Sequence, residues 1–262
     1  MKLIRLSASN IAWKVENDSE MLNFLSTLGF AGLEIAPTRV IPQQPYEQLG
    51  PAREFSRRLN EVYGLSVSAM QSIYYGVGGS IYDGGLLDYT KSAVDFAVAV
   101  GCPIIVFGCP KHRNIPEGVT GAWDMAGEFF SKIVEYSRPS GTVIAIEPNP
   151  PIYGTNFINT TEEAIRFCGE VKGLKVNFDM GTVIENNEPV SDLELVSHVH
   201  VSEPFLVPIV RRDLHGEVNR KIKSTGYSGF VSLEMRDPGD LSVVKEALEY
   251  VKEVFGGMLD DD

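Results

Sequence analysis

The stretch that decides the fold runs from Thr142 to Gly181 and reads as a strand, a helix and a second strand. "TVIAIEPNP" (142–150) and "LKVNFDMG" (174–181) have the length and the branched apolar residues of buried strands. Between them, "NTTEEA" (159–164) sets capping residues before acids, as a helix start does. A strand, a helix and a strand in succession predict one unit of a parallel sheet.

The same alternation extends from this stretch toward both ends of the chain. Six more segments resemble strands: "LIRLSAS" (3–9), "GLEIAP" (32–37), "LSVSAMQS" (65–72), "PIIVFGCP" (103–110), "HVHVSEP" (198–204) and "GFVSLEMR" (229–236). Helical patterns follow them, and several end in a glycine suited to a C-cap: Gly29, Gly64, Gly101 and Gly226. For the sixth unit, the short segment "VSDLELVS" (190–197) is the predicted helix.

About eight strand–helix units in a chain of this length predict an α/β fold, the (β/α)8 TIM barrel. The alternative is a doubly wound open sheet, whose usual marker is G-x-G-x-x-G after the first strand. "SASNIAWK" (7–14) stands at that place instead. No linker or change in composition divides the chain, so we expect a single domain over residues 1–262.

Composition narrows the classes of partner. The 262 residues are 44% hydrophobic and 22% charged, with a net charge of −12. This acidic balance argues against nucleic acid and against an anionic membrane surface as partners. Three cysteines without a C-x-x-C pair suit a reducing compartment, and the N-terminus is too polar for a signal peptide, so we expect a cytoplasmic protein.

The candidate metal-binding and catalytic side chains lie on one face of four successive strands. In "TVIAIEP", Ile144 and Ile146 share the face expected to meet the outer helices, whereas Glu147 shares the opposite face with Ala145. The same phase points four side chains into the barrel near the strand ends, where barrel enzymes place their sites: Glu147, Asp179, His200 and Glu234.

Three carboxylates and one imidazole so close together would repel unless a cation neutralises them. Mostly oxygen ligands with one nitrogen predict a divalent metal, Mn²⁺ first, with Mg²⁺, Co²⁺ or Zn²⁺ as alternatives. Separate ion pairs are the competing interpretation. His198 lies one layer deeper on the same face, in the role of support or packing, and we expect His112 and His215 on the surface.

At these residues the chain resembles the xylose isomerase-like TIM barrel superfamily, in its sugar phosphate isomerase/epimerase branch. Ketose 3-epimerases and inosose dehydratase belong to that branch, and endonuclease IV is more distant. The resemblance is sharpest at "AIEPNP", "NFDMGT", "HVHVSEP" and "SLEMR". It implies that Glu147, Asp179, His200 and Glu234 bind the metal. Related barrels often form dimers or tetramers, so a homo-oligomer is one expectation.

The chain departs from the ketose 3-epimerase pattern at two positions. Thr182 stands where those enzymes carry a His after the metal Asp, and Leu206 stands in the region where they carry an Arg. The resemblance therefore implies different substrate contacts. Endonuclease IV also needs a His after the Asp, for a cluster of three metals.

The chemistry implied is isomerisation or epimerisation of a sugar or sugar derivative. A carboxylate removes a proton next to a carbonyl, a metal stabilises the enediolate, and a second group returns the proton. We expect Glu147 and Glu234 to be this catalytic pair as well as metal ligands; Glu203 or a water is the alternative. Further candidates for substrate binding are Glu203, Arg236, Lys111, Arg113, Gln71, Trp13, Asn10 and Glu34.

Several of these candidates also have a purely structural interpretation. Trp13 suits stacking on a sugar ring or simple packing, and the basic side chains of Lys111, Arg113 and Arg236 suit a phosphate, a carboxylate or a neighbouring acid. Three other functions compete: a metal-dependent dehydratase of a keto-cyclitol or related ring, a phosphodiesterase of the AP endonuclease kind, and a sugar-binding barrel without catalysis.

Overall fold

The strands close into the predicted barrel. The structure, a computed structural model, describes residues 4–190 and 193–257, and within them eight parallel strands pair in chain order, with the first closing against the last. This closure excludes the open doubly wound sheet. The strands are β1 (Arg5–Ser9), β2 (Gly32–Ile35), β3 (Ser66–Met70), β4 (Ile104–Phe107), β5 (Val143–Ile146), β6 (Lys175–Asp179), β7 (Val196–Val201) and β8 (Phe230–Leu233).

Helices connect the strands around the outside of the barrel. Those of seven residues or more are α1 (Asp18–Leu28), α3 (Leu49–Tyr63), α4 (Leu87–Ala99), α6 (Ala122–Ser137), α7 (Thr161–Glu170), α8 (Met180–Asn186), α9 (Asp213–Ser224) and α10 (Leu241–Phe255); α2 (Pro37–Val40) and α5 (Pro110–Arg113) are single turns. Gly29 and Gly64 end α1 and α3 with φ of 81° and 69°, as predicted. Among the described residues, no helix has both the length and the apolar character that crossing a membrane requires.

The sixth helix lies elsewhere than the sequence pattern indicated. The prediction of a helix over 190–197 is wrong where it can be compared, since Val196 and Ser197 belong to β7 and Leu193–Leu195 lie outside any helix; residues 191 and 192 lie outside the described part of the chain. The helix is α8 instead, and it begins directly after β6. Asp179 is its N-cap and accepts a hydrogen bond from Thr182 N at 2.7 Å.

The two faces of the strands divide as alternation predicts. Ile144, Ile146 and Phe178 belong to the large apolar core that the strands share with the outer helices. Ala145 belongs to a separate small cluster with Ala69, Ile104 and Val106. These apolar side chains lie inside the barrel, and above them the polar ends of the inward faces converge at the C-terminal mouth.

Candidate metal and substrate site

Four side chains converge at the mouth because four neighbouring strands end at the same level. Asp179 on β6 and His200 on β7 are partners in the strand register, and His200 pairs with Ser232 on β8. The ladder continues one residue past β5 and β8: Glu147 N donates to Phe107 O at 3.1 Å, and Glu234 N donates to Val201 O at 3.0 Å. One ligand atom from each of Glu147, Asp179, His200 and Glu234 lies within 4.8 Å of all the others.

Two side-chain amides fix the carboxylate of Glu147. Asn177 Nδ2 donates to Oε1 at 2.8 Å, and Asn149 Nδ2 donates to Oε2 at 3.1 Å. Gly108 faces the same carboxylate so closely that a Cβ on it would lie 2.5 Å from Oε2. Arg113 lies beneath, fully buried, and donates to Glu147 O at 2.7 Å and to Asn149 Oδ1 at 2.6 Å. The backbone and the carboxylate of Glu147 are therefore both held in place.

Asp179 is oriented by the start of α8 and by β7. Its Oδ2 accepts from the backbone and from the hydroxyl of Thr182, at 2.7 and 2.9 Å, and its Oδ1 accepts from the Ser202 hydroxyl. The hydroxyl of Thr182, the residue that departs from the ketose 3-epimerase pattern, also lies 2.8 Å from Pro148 O, so its one proton is shared between Pro148 O and Asp179 Oδ2. It orients Asp179 and ties it to the strand end that carries Glu147.

His200 has carboxylates at both ring nitrogens. Nδ1 lies 3.0 Å from Glu147 Oε1 and 3.1 Å from Glu234 Oε2, and Nε2 lies 3.0 Å from Glu34 Oε1. Glu34 is fully buried and also contacts His198 Nε2 at 2.6 Å. Glu34 therefore supports the two histidines from behind and is not part of the cavity lining, and His198 has the supporting role that the sequence indicated.

Burial and mutual repulsion shift the pKa values of the cluster. Burial, with the nearby charge of Glu147, raises the pKa of Asp179, and burial raises the pKa of Glu234 to about 7. Burial opposes the charged imidazole of His200, but the carboxylates of Glu34 and Glu234 outweigh it and raise the pKa of His200 well above its ordinary value. The carboxylates therefore favour a positive charge at the position of His200 Nδ1.

The donor set fits a divalent cation. Ligand atoms about 2.0–2.3 Å from one ion lie no more than about 4.6 Å apart, close to the 4.8 Å spread of this cluster. Three carboxylates supply oxygen donors, and His200 offers Nδ1 once Glu34 accepts the proton on Nε2. A single divalent cation would balance the negative charges of the three carboxylates, which otherwise converge on the imidazole of His200.

The cluster lies at the base of a cavity of about 300 Å³, which we call the acidic cavity. Glu147, Asp179 and Glu234 are part of its lining. The remaining lining is mainly neutral and apolar: Gln71, Ser72, Tyr74, Tyr75, Val106, Gly108, Cys109, Pro110, Lys111, His112, Asn149, Tyr153, Glu203 and Leu206. Beyond the three carboxylates of the cluster, this lining contains the charged residues Glu203 and Lys111, and a space of this size suits one small polar ring.

Three of the eight predicted substrate-binding residues line the acidic cavity: Gln71, Lys111 and Glu203. Glu203 is 2% exposed and accepts from Arg212 at 2.8 and 2.6 Å.

The other five lie outside that lining. Trp13 is 2% exposed and donates to Asp18 at 2.9 Å, so its ring is packed, while Asn10 accepts from Ala36 N at 2.9 Å. Arg113 and Glu34 lie behind the site, and Arg236 is exposed.

Several residues of the site were not singled out from the sequence. Asn177 shares the phase of Asp179 on β6, so alternation could have found it. Asn149 follows Glu147 by two residues, whereas Tyr153 lies in a short 3-10 turn after β5 that no periodic pattern marks. The expectation that His215 lies on the surface is wrong, because His215 is fully buried. His112 is half-buried, lines the cavity and contacts Val77 O at 2.8 Å.

Comparison with known proteins agrees with this architecture. A family model described as xylose isomerase-like TIM barrel matches residues 22–254. No curated protein matches the sequence significantly. Similar solved structures include the apo form of the 3-keto-D-glucoside 4-epimerase YcjR of E. coli, at 17% identity and a TM-score of 0.74, with coverage of 95% of this chain and 99% of that one.

Two further structures share the fold. D-psicose 3-epimerase of Clostridium cellulolyticum H10 with D-tagatose has 17% identity and a TM-score of 0.75, over 97% of this chain and 99% of that one. A family 2 AP endonuclease of Brucella melitensis has 18% identity and a TM-score of 0.70, over 95% and 99%. At these identities the likeness establishes the fold.

Proposed function

Because the chain belongs to the xylose isomerase-like TIM barrel family, we propose that it is a divalent-metal-dependent epimerase or isomerase of a keto-sugar. The observation that carries the proposal is the convergence of Glu147, Asp179, His200 and Glu234 within 4.8 Å at the base of a sugar-sized cavity. Similar structures named for sugar epimerases support the same class of reaction.

The four residues would hold the ion, with Mn²⁺ the first expectation for a donor set of three carboxylates and one imidazole. When bound, the ion supplies positive charge next to the oxygens of the substrate, which lowers the cost of forming an enediolate. Glu34 would keep the imidazole of His200 in the tautomer whose Nδ1 carries a lone pair, because it accepts from Nε2.

Glu147 and Glu234 are proposed as the base and acid that move the proton. They extend from β5 and β8, which are separated by two strands, and both line the acidic cavity. Glu234 contacts His200 through Oε2, which leaves Oε1 for the cavity. In Glu147, Oε2 lies on the side of Gly108 and Asn149, which also line the cavity. Two carboxylates on opposite sides of a ring can take a proton from one face and return it to the other.

The substrate of this proposal is uncharged. A phosphate would be bound by several converging cations, but of the three basic residues considered for that role only Lys111 lines the acidic cavity. Arg113 is buried against Glu147 O and Asn149, and Arg236 is exposed outside the lining. Tyr74, Tyr75 and Leu206 instead offer apolar surface for a sugar ring.

The test is exchange of the proton next to the carbonyl in D₂O, followed by NMR over a panel of ketohexoses, ketopentoses and keto-glycosides with and without added Mn²⁺. The proposal expects exchange with at least one sugar, dependence on Mn²⁺, and a loss of at least 100-fold in Glu147→Gln and in Glu234→Gln. Exchange accompanied by loss of water would indicate a dehydratase instead. Cleavage of an abasic oligonucleotide without sugar exchange would overturn the proposal in favour of a phosphodiesterase.

A further inference from the structure

A second and larger space opens beside the acidic cavity at the same end of the barrel. This space, which we call the neighbouring groove, has a volume of about 1170 Å³. Its walls come from the loops after β1, β2, β3 and β8, and they include Val15, Thr38, Tyr46 and Asp237. Nothing in the proposed proton transfer uses it.

The groove and the acidic cavity adjoin each other. Ser72 and Tyr75 line both of them. Tyr75 is 74% exposed, so its ring is open to contact by a ligand where the two spaces meet. Ser72 has a φ of 54°, a left-handed conformation that non-glycine residues adopt mainly where function or local contacts require it. A ligand seated over the acidic cluster would therefore reach the groove by passing the ring of Tyr75.

Hydrogen bonds preform the walls of the groove. Arg39 spans its base, donating to Asn10 O at 3.1 Å, to Trp13 O at 3.2 Å and to Asp18 at 3.0 Å. Tyr46 donates to Ile73 O at 2.7 Å and so fixes the loop after β3. Trp13 and Asn10, predicted to contact substrate, thus build the wall on which a ligand would rest. Such preformed walls reduce the ordering that binding costs.

The chemistry of the lining favours a neutral, hydroxyl-rich ring. Polar groups such as Thr38 and Gln44 stand beside the exposed apolar surface of Val15 and Tyr75. Three acidic residues line the groove, Glu16, Glu47 and Asp237, against the basic residues Lys14 and Arg39, of which Arg39 is paired with Asp18. This balance disfavours a phosphate or a carboxylate as occupant.

We propose that the neighbouring groove binds a second neutral sugar ring, linked to the keto-sugar ring over the acidic cluster, so that the substrate is a keto-disaccharide or similar keto-glycoside. The proposal rests on the proposed function for the reacting ring. It adds that Tyr75 provides the stacking surface at the junction and that a free monosaccharide fills only part of the site.

The experiment compares 3-keto-D-glucose with the 3-keto derivatives of cellobiose, maltose and trehalose by proton exchange in D₂O. Binding of D-glucose, cellobiose, maltose and trehalose to the Mn²⁺-loaded protein is measured in parallel by calorimetry. We expect at least one disaccharide to exceed its monosaccharide at least tenfold in kcat/KM and in affinity. Equal values for every disaccharide and its monosaccharide would overturn the inference.

A pair of variants tests whether the groove causes the preference for disaccharides. Val15→Arg fills the groove from a side chain that is 59% exposed, and Val62→Arg makes the same change at a position that is 60% exposed on α3 and lines neither space. Val15→Arg should lower the disaccharide-to-monosaccharide ratio at least fivefold, and Val62→Arg should leave that ratio unchanged. An unchanged ratio in both variants would also overturn the inference.

The binding measurement separates this inference from the proposed function. Suppose that no sugar undergoes exchange, but that disaccharides bind tenfold more tightly than monosaccharides and Val15→Arg abolishes this difference. The groove inference is then supported and the epimerase proposal fails. If 3-keto-D-glucose undergoes exchange as efficiently as every disaccharide, the epimerase proposal stands and the groove inference fails.

Discussion

Nε2 of His200 lies 3.0 Å from Oε1 of Glu34, while the other ring nitrogen faces Glu147 and Glu234. Both His200 and Glu34 are fully buried. Burial by itself would raise the pKa of Glu34, but His200 and His198 outweigh burial and hold the pKa of this carboxyl below its ordinary range. Glu34 is thus a permanent acceptor for the proton on Nε2, and this leaves Nδ1 to face the acidic cluster.

Replacing Glu34 by Gln should weaken metal binding without unfolding the protein. A neutral amide no longer accepts from both histidines, so His200 loses the partner that sets its tautomer and ring position. We expect the affinity for Mn²⁺ to fall about 10- to 100-fold, measured by calorimetry. Glu54→Gln, an exposed change on α3, is the matched control. An affinity within twofold of the parent protein would show that Glu34 does not orient His200.

A single methyl group at Gly108 should disturb the site more than the fold. The Cβ of Gly108→Ala would lie 2.5 Å from Glu147 Oε2, an oxygen that Asn149 holds at 3.1 Å. The carboxylate must move, so we expect Mn²⁺ affinity and sugar proton exchange to fall at least tenfold. Gly50→Ala is the control, because a Cβ at Gly50 would meet nothing within 4 Å. Parent-like metal binding in Gly108→Ala would mean that Glu147 is free to shift without consequence.

Arg212 and Arg211 are neighbours in sequence but should differ in their effect on stability. Arg212 donates twice to Glu203, which is buried, whereas Arg211 pairs with Glu253 and both side chains are well exposed. Arg212→Gln leaves a buried carboxylate without its partner, which costs about 1–3 kcal/mol of unfolding free energy. Arg211→Gln should change that free energy little. Urea denaturation measures both, and equal losses would contradict the assignment.

His215 should make the protein less stable as the pH falls. His215 is fully buried, its Nδ1 lies 2.9 Å from the Tyr250 hydroxyl, and burial lowers its pKa from the ordinary value of 6.5. Below that value the unfolded chain binds a proton that the folded protein does not. This histidine therefore reduces the unfolding free energy by up to about 1.4 kcal/mol per pH unit.

Urea denaturation of the parent and of His215→Gln between pH 7.5 and 5.5 measures this contribution, because the other titrating groups are common to both proteins. The parent should lose more stability than the variant over this interval. Parallel pH profiles would show that His215 accepts a proton equally well in the folded state.

Strand periodicity was sufficient to predict the barrel and the convergence of four polar side chains. Glu147, Asp179, His200 and Glu234 lie near the ends of adjacent strands with one phase, and both properties can be read locally. The sixth helix was misplaced because Asp179, interpreted only as a metal ligand, is also the N-cap of α8. The alternation of side chains along a strand does not distinguish a residue that lines the cavity from one, such as Glu34, that lies behind it.

Loop-borne residues were the least predictable part of the site. Tyr153 and Arg212 lie outside the strands, and their positions depend on packing between segments far apart in the chain. Trp13 and Arg113 are residue types that often bind ligands. Here their polar groups are already occupied by internal hydrogen bonds, which only the three-dimensional arrangement reveals.

The most direct test of the central claim is the metal content of the purified protein after incubation with Mn²⁺ and removal of free ion, determined by elemental analysis. We expect about one metal ion per chain in the parent protein and much less than one in Glu234→Gln, while Glu54→Gln retains the full amount. Absence of bound metal in the parent, or full occupancy in Glu234→Gln, would contradict the proposal that the four side chains form a metal site.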